Sequence, residues 1–272
     1  MSTERDYVLG THDEELARLG LQHRVWRSVA LNCWQQAGLT VGSHVLDLGA
    51  GPGYAAVDLA EIVGPTGKVV AVERSANFLR AFEERRRARG LANIEIHELD
   101  LMTDALPDGP YDFSWCRWVA SFVSDPELLV QKLARAMRKG AVAMFQEYGH
   151  YLTWRFIPRL ASQERFAQEV KASWAAAGGK ADVALDLPAY LTSNGFQLRS
   201  VVPRIYCVNP KDYMWQWPAS YIDIGLARLK ELGRIDAEFA AELKREIAVA
   251  QKNPDSVVIT PLVLEITADR IG

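Results

Sequence analysis

Apolar residues in this chain follow two alternating rhythms: short continuous runs closed by glycine, and longer stretches with one apolar face per turn. Over 12–38 the spacing of Leu16, Leu19, Val25, Trp26, Val29 and Trp34 predicts an amphipathic helix. Gly38 and Gly42 close it, and a strand–helix alternation begins. "SHVLDLG" reads as a short buried strand, and "YAAVDLAEIVG" as a helix stopped by Gly64 and Pro65. "KVVAVE" gives a second strand, followed by a helix over Ala76–Arg89 that ends at Gly90. "IEIHELD" gives a third strand and "YDFSWCRWV" contains a fourth. Asp125-Pro126 then starts a helix, ELLVQKLARAMRK, capped by Gly140, and "AVAMFQE" gives a fifth strand. Strands alternating with helices predict right-handed βαβ units on a largely parallel sheet.

Beyond residue 150 the rhythm loosens. Helices are expected at Gln163–Ala177 and Leu187–Asn194, and strands in "FQLRSVVPRIYCV" and "VVITPLVLEITADRI". Between those strands, 209–256 holds "DYMWQWPASYIDIGLARLKEL" and a charged helix, Asp236–Lys252. That is far more chain than a hairpin needs, and it reads as a helical lid inserted between the last two strands. The expected class is α/β, a seven-stranded, mostly parallel sheet flanked by helices. A single domain covers 1–272: a helical arm over 1–38, a core over 39–150, and a second half over 151–272 with the lid at about 209–256.

Composition narrows the possibilities mainly by exclusion. A net charge of −3 offers no basic surface to track a phosphate backbone, so no nucleic-acid partner is expected. The run "EERRRARG" is diluted by Glu83 and Glu84 on a helix and reads as a solvated face. Cys33, Cys116 and Cys207 lack zinc-site or redox-motif spacing and read as reduced thiols. No apolar run has membrane-spanning length, and the polar start "MSTERDYVLGTHDEEL" is unlike a signal peptide, so a cytoplasmic monomer or homodimer is expected.

Candidate chemistry begins with "VLDLGAGPGYAAVDL". Gly49, Gly51 and Gly53 let the backbone turn tightly after a strand and approach a ligand closely. Such loops also bind dinucleotides, but that fingerprint is G-x-G-x-x-G, whereas the spacing here is G-x-G-x-G with Tyr54 next. Asp47, two residues before the first glycine, would repel a pyrophosphate and attract an ammonium or sulfonium. No Gly-Lys-Ser/Thr follows, so the Walker pattern fails as well.

These residues resemble the class I S-adenosylmethionine (SAM)-dependent methyltransferases, strongly over roughly 40–150, and that resemblance implies a Rossmann-like fold. It implies that the glycine loop cradles the methionine half of SAM and that Glu73, ending the second strand, binds the ribose hydroxyls. Asp100 would meet the adenine amino group, with the Leu101 backbone and the Phe78 side chain alongside. One carboxylate accepting two charge-assisted hydrogen bonds suits a vicinal diol on chemical grounds too. "CRWVASFVSDP" is similar to the stretch after strand four in methyltransferases related to ubiquinone and menaquinone biosynthesis. That similarity implies that Arg117 and Trp118 lie beside the methionine end. Phe122 stands where a His is usual, making the pocket floor more apolar. The N-terminal segment resembles cofactor-covering arms, with Tyr7 and Gln22 as contacts. The product would be S-adenosylhomocysteine.

An acceptor is expected near the carboxyl ends of strands four and five. After strand five, "QEYGHYLTW" offers Glu147, Tyr148, His150 and Tyr151. His150 has a pKa suited to proton removal near neutrality, and a solvated loop histidine is the competing reading. Of the histidines before the glycine loop, only His23 is placed to face the pocket. Trp215, Trp217 and Tyr221 either close over a flat apolar acceptor or form the core of the helical cap. The leading expectation is methylation of an O, N or C atom of a small apolar or aromatic metabolite, with no metal implied. A nicotinamide-dependent oxidoreductase and a SAM-binding protein without methyl transfer remain as alternatives; the glycine spacing and the lack of a Tyr-x-x-x-Lys dyad oppose the former.

Overall fold

A computed structural model describes residues 13–272. The central seven-stranded sheet contains β1 (His44–Leu48), β2 (Lys68–Glu73), β3 (Ile94–Glu98), β4 (Tyr111–Arg117), β5 (Met137–His150), β7 (Phe196–Arg204) and β10 (Leu262–Arg270). Their order is β3-β2-β1-β4-β5-β10-β7. The first five strands pair in parallel, while β10 runs antiparallel to both β5 and β7. The order reverses at β1 and β4, whose carboxyl ends therefore open a crevice. The inner strands are continuous apolar runs because helices cover both faces of the sheet.

On one face, Trp34 of α1 (Asp13–Ala37), Leu59 of α2 (Tyr54–Val63) and Phe82 of α3 (Ala76–Ala88) bury against β1, β2 and β4. On the other, α4 (Pro126–Ala136) and α6 (Leu187–Ser193) bury Leu129, Leu133 and Leu191. Asp125 caps α4 by accepting from the Leu128 N–H at 2.9 Å, as the Asp-Pro start suggests. The helix ends at Ala136 rather than Gly140, because Met137 already adopts extended backbone and opens β5.

The two late strands each split. β8 (Cys207–Val208) and β9 (Val257–Ile259) leave the main sheet and join β6 (Arg155–Ile157) in a second sheet ordered β6-β9-β8. Strands of two or three residues carry too little periodicity to be read from sequence. Between β8 and β9 lie α7 (Gln216–Glu231) and α8 (Ala237–Lys252). With α5 (Ala161–Ala176) and the first half of α1, they enclose a third core dominated by tryptophan and tyrosine. Among the described residues, no helix is long and apolar enough to cross a membrane.

Candidate functional site

Two cavities meet at the β1/β4 switch. The larger has a volume of about 520 Å³ and is bounded by the glycine turn, the ends of β2 and β3, and the chain after β4. The smaller, about 30 Å³, lies among the aromatic residues of the third core. Gln22, Trp118 and Phe122 line both and form the wall between them.

Asp47, Gly49, Gly51, Glu73, Phe78, Asp100, Leu101, Arg117, Trp118 and Gln22 all line the larger cavity. Gly51 has φ +56, and a Cβ there would meet nothing within 4 Å, so its missing side chain leaves space for a ligand. Gly53 lines neither cavity. A Cβ on it would stand 2.0 Å from the Phe82 ring, so it serves close packing beneath the turn. Tyr7 lies outside the described residues.

Glu73 holds the turn in shape. Its carboxylate accepts from the N–H groups of Gly51 at 3.0 Å and of Arg74 and Ser75 at 2.9 Å. Burial raises its pKa, and those donors oppose the rise. Asp100 accepts from the Met102 N–H at 2.8 Å and lies 3.6 Å from the Arg74 guanidinium. Lys132 fixes the same loop by donating to the carbonyls of Leu101, Met102 and Asp104 at 2.7–2.9 Å.

Asp47 is buried and Arg117 half-buried, and each has a buried atom, Oδ2 of Asp47 and Nη1 of Arg117, with no hydrogen-bond partner among the described residues. Burial pushes the Asp47 carboxyl up to about 7, against the pull of Arg117. Burial brings Arg117 down to about 10, still a cation at neutral pH. Orphaned buried polar atoms are costly unless a ligand completes them. A carboxylate and a guanidinium side by side suit the ammonium and carboxylate of an amino acid. Phe78 and Leu101 supply an apolar slot further along. The cavity thus lines up a charged pair, a strand-end carboxylate and an apolar slot.

His23 of α1 joins this group. Its Nδ1 lies 3.0 Å from Arg117 Nη2 and its Nε2 lies 3.1 Å from Asp58 Oδ2, and the ring stacks on Tyr54 at 5.8 Å. Arg27 also donates to Asp58, at 2.8 Å. Sequence reading placed His23 toward the pocket, but the Asp58 partnership has no local signature.

The smaller cavity is lined by eight aromatic side chains, including Tyr148, Tyr151, Trp217 and Tyr221. Trp118, Tyr148 and Trp217 stand nearly parallel, with centroids 5.6–6.4 Å apart. Burial pushes the phenols of Tyr148, Tyr151 and Tyr221 well above their ordinary range, which keeps them protonated. Among the described residues Arg18 is the one charged residue in the lining. It is paired with Glu15 at 2.6 and 2.7 Å and donates to Gln22 at 2.7 Å. Arg18 and Trp174 were missed by sequence reading because they come from separate elements with no common motif; Trp154 ends the stretch "QEYGHYLTW" but was not singled out there.

Three expected acceptor contacts are corrected. Glu147 lines neither cavity. Strand alternation sends it to the face opposite Gln146 and Tyr148. There it accepts from the N–H groups of Val119, Ala120 and Ser121 and from the Ser121 hydroxyl, at 2.7–3.3 Å. Burial pushes it up to about 7, against those donors, and its role is to hold the chain after β4. His150 lies at the end of β5 with its side chain 54% exposed and 3.9 Å from Asp182, outside both cavities. Trp215 is buried against Phe156 at 5.5 Å and belongs to the core of the cap.

Residues 39–191, more than half of the chain, match the family model for a methyltransferase domain. The ubiquinone/menaquinone biosynthesis C-methyltransferase UbiE of Pseudomonas fluorescens is 27% identical over 130 residues, 47% of this chain and 50% of that relative. The match therefore spans about half the length of the curated relative. Among solved structures, the YcgJ protein of Bacillus subtilis aligns over 90% of this chain and 99% of its own, at 14% identity and a TM-score of 0.58. Coclaurine N-methyltransferase, bound to N-methylheliamine and S-adenosylhomocysteine, aligns over 90% of this chain and 72% of its own, at 20% identity and a TM-score of 0.55. Likeness at this level concerns the fold.

Proposed function

We propose a function from the premise that this chain belongs to the methyltransferase domain family: SAM-dependent transfer of a methyl group to a small, apolar or aromatic molecule. The observation that carries this reading is the pair of unsatisfied, buried, oppositely charged atoms on Asp47 and Arg117, facing one cavity with the open Gly51 turn. In this reading Asp47 takes the ammonium of the methionine half and Arg117 its carboxylate. Glu73 takes the ribose hydroxyls, and Phe78, Asp100 and Leu101 surround the adenine. When bound, SAM would supply an electrophilic methyl on sulfur. Trp118 and Phe122 form the wall toward the aromatic cavity and exclude water from the path between the two.

The aromatic cavity is the acceptor site in this proposal. Among the described residues its lining holds no His, Asp, Glu, Lys or Cys side chain, and its phenols are held protonated. This chain therefore contributes position and dryness rather than proton removal, which suits an acceptor that arrives already nucleophilic.

Calorimetric titration with SAM and S-adenosylhomocysteine tests the cofactor reading. Glu73→Ala should weaken binding by roughly 100-fold, as expected for losing charge-assisted bonds to a diol and the anchor of the glycine turn. Full affinity in that variant, or NAD binding in place of SAM, would overturn the proposal.

A further inference from the structure

The hydrogen-bond chain that begins at Arg117 fixes the protonation of His23. Arg117 can only donate, so the His23 Nδ1 that lies 3.0 Å from its Nη2 must accept. The ring's proton then sits on Nε2, which donates to Asp58 Oδ2 at 3.1 Å. Arg27 donates to both Asp58 oxygens, at 2.8 and 3.2 Å, and holds that carboxylate in place. Four residues on three elements thus fix one guanidinium nitrogen, and the other, Nη1, has no partner among the described residues, with Asp47 close enough to act on the guanidinium's charge.

We infer that His23 is a positioning residue for the cofactor: as the neutral Nε2–H tautomer it aims Arg117 at the cofactor's carboxylate, and its protonation releases that grip. This inference rests on the proposed binding of SAM in the larger cavity and extends it to a residue on the helical arm. The groups facing the ring are Arg117 from β4, Asp58 and the Tyr54 ring from α2, and Arg27 from its own helix; Asp47 lies beyond Arg117. A protonated His23 would place an N–H donor against a guanidinium, two cations with no acceptor between them. The protein resists that state, since burial lowers the His23 pKa and Arg117 adds to the effect, while Asp58 opposes it. The arm helix is thereby tied to cofactor binding through a side chain that titrates below neutrality.

The test is calorimetric titration of the full chain with S-adenosylhomocysteine at a series of pH values, using wild type, His23→Asn and His23→Phe. Asparagine keeps an acceptor oxygen near the place of Nδ1 and cannot titrate. At about pH 8 His23→Asn should stay within about threefold of wild type, whereas His23→Phe should lose roughly tenfold or more, the effect of removing one bond to a charged group. Well below about pH 6.5, the ordinary histidine value from which burial lowers His23, wild type should weaken further than His23→Asn, because only wild type loses its acceptor there. Nitrogen NMR of the imidazole should report the neutral Nε2–H tautomer near pH 7.5. His23→Phe binding like wild type, identical pH profiles for wild type and His23→Asn, or an Nδ1–H tautomer would each overturn the inference. If wild type bound no S-adenosylhomocysteine at any pH, the cofactor reading itself would fall, and the inference with it.

Discussion

The two cavities share a wall and differ in almost everything else. The larger, at about 520 Å³, is bounded by backbone turns and charged groups, and it presents polar atoms that nothing among the described residues satisfies. The smaller, at about 30 Å³, is lined by rings in edge and face contact, and the indole N–H groups of Trp118, Trp154 and Trp174 in its lining have no partner among the described residues. One site is built open, with its electrostatics already in place. The other is narrow, and its rings must move apart to admit any acceptor. In the proposed function, the cofactor therefore meets a preorganised surface while the acceptor pays for rearrangement of α1 and α7, whose residues Gln22, Trp217 and Tyr221 close the smaller space. Tolerance of mutation should differ accordingly on the two sides of the wall.

The most damaging change should fall beneath the wall itself. Glu147→Ala would strand the N–H groups of Val119, Ala120 and Ser121 and the Ser121 hydroxyl. We expect a loss of about 4 kcal/mol in denaturant unfolding, with both cavities disturbed together. A loss below about 1 kcal/mol would mean that the chain after β4 is held by something else.

A second test is confined to the open side. The buried Asp47 carboxyl sits at about 7 in the unliganded protein, raised above its ordinary value, so it is neutral below that pH and ionised above. An ammonium ligand needs the ionised form. Affinity for S-adenosylhomocysteine should therefore fall about tenfold from about pH 8 to about pH 6. Asp47→Asn should bind more weakly throughout and lose most of that slope; an unchanged slope would remove Asp47 from the ligand contacts.

The smallest effect is expected on the closed side. Trp217 lines only the aromatic cavity, so Trp217→Phe should cost about 1 kcal/mol in stability and leave S-adenosylhomocysteine affinity within about twofold of wild type. Acceptor turnover should change instead. A cofactor affinity that fell in step with stability would show that the two cavities are not separable.

How much the sequence disclosed follows the same division. The residues of the open cavity sit at the ends of strands, where the glycine turn and a strand-end carboxylate fall at fixed places along the β1–α2–β2 unit and the Arg117-Trp118 pair falls at the end of β4. Local spacing carries that information. The closed cavity draws Arg18 from α1, Trp118 from the chain after β4, Trp174 from α5 and Tyr221 from α7. No spacing rule links those positions, and Trp215, two residues from Trp217, faces Phe156 instead. Glu147 misled for a simpler reason. Strand β5 continues through His150, so neighbours that read as one loop point to opposite faces. The short second sheet escaped because its pairings are long-range and its strands too brief to show a period.

The antiparallel strand β10 has a consequence for synthesis of the chain. It fills the gap between β5 and β7 in the finished sheet, yet its residues leave the ribosome long after those of β5. Until they emerge, the hydrogen-bonding edge of "AVAMFQEY" stands uncovered, an apolar strand able to recruit a neighbouring chain. Nascent molecules should thus pass through a sticky interval in which the cofactor-side half is formed and the sheet is unfinished.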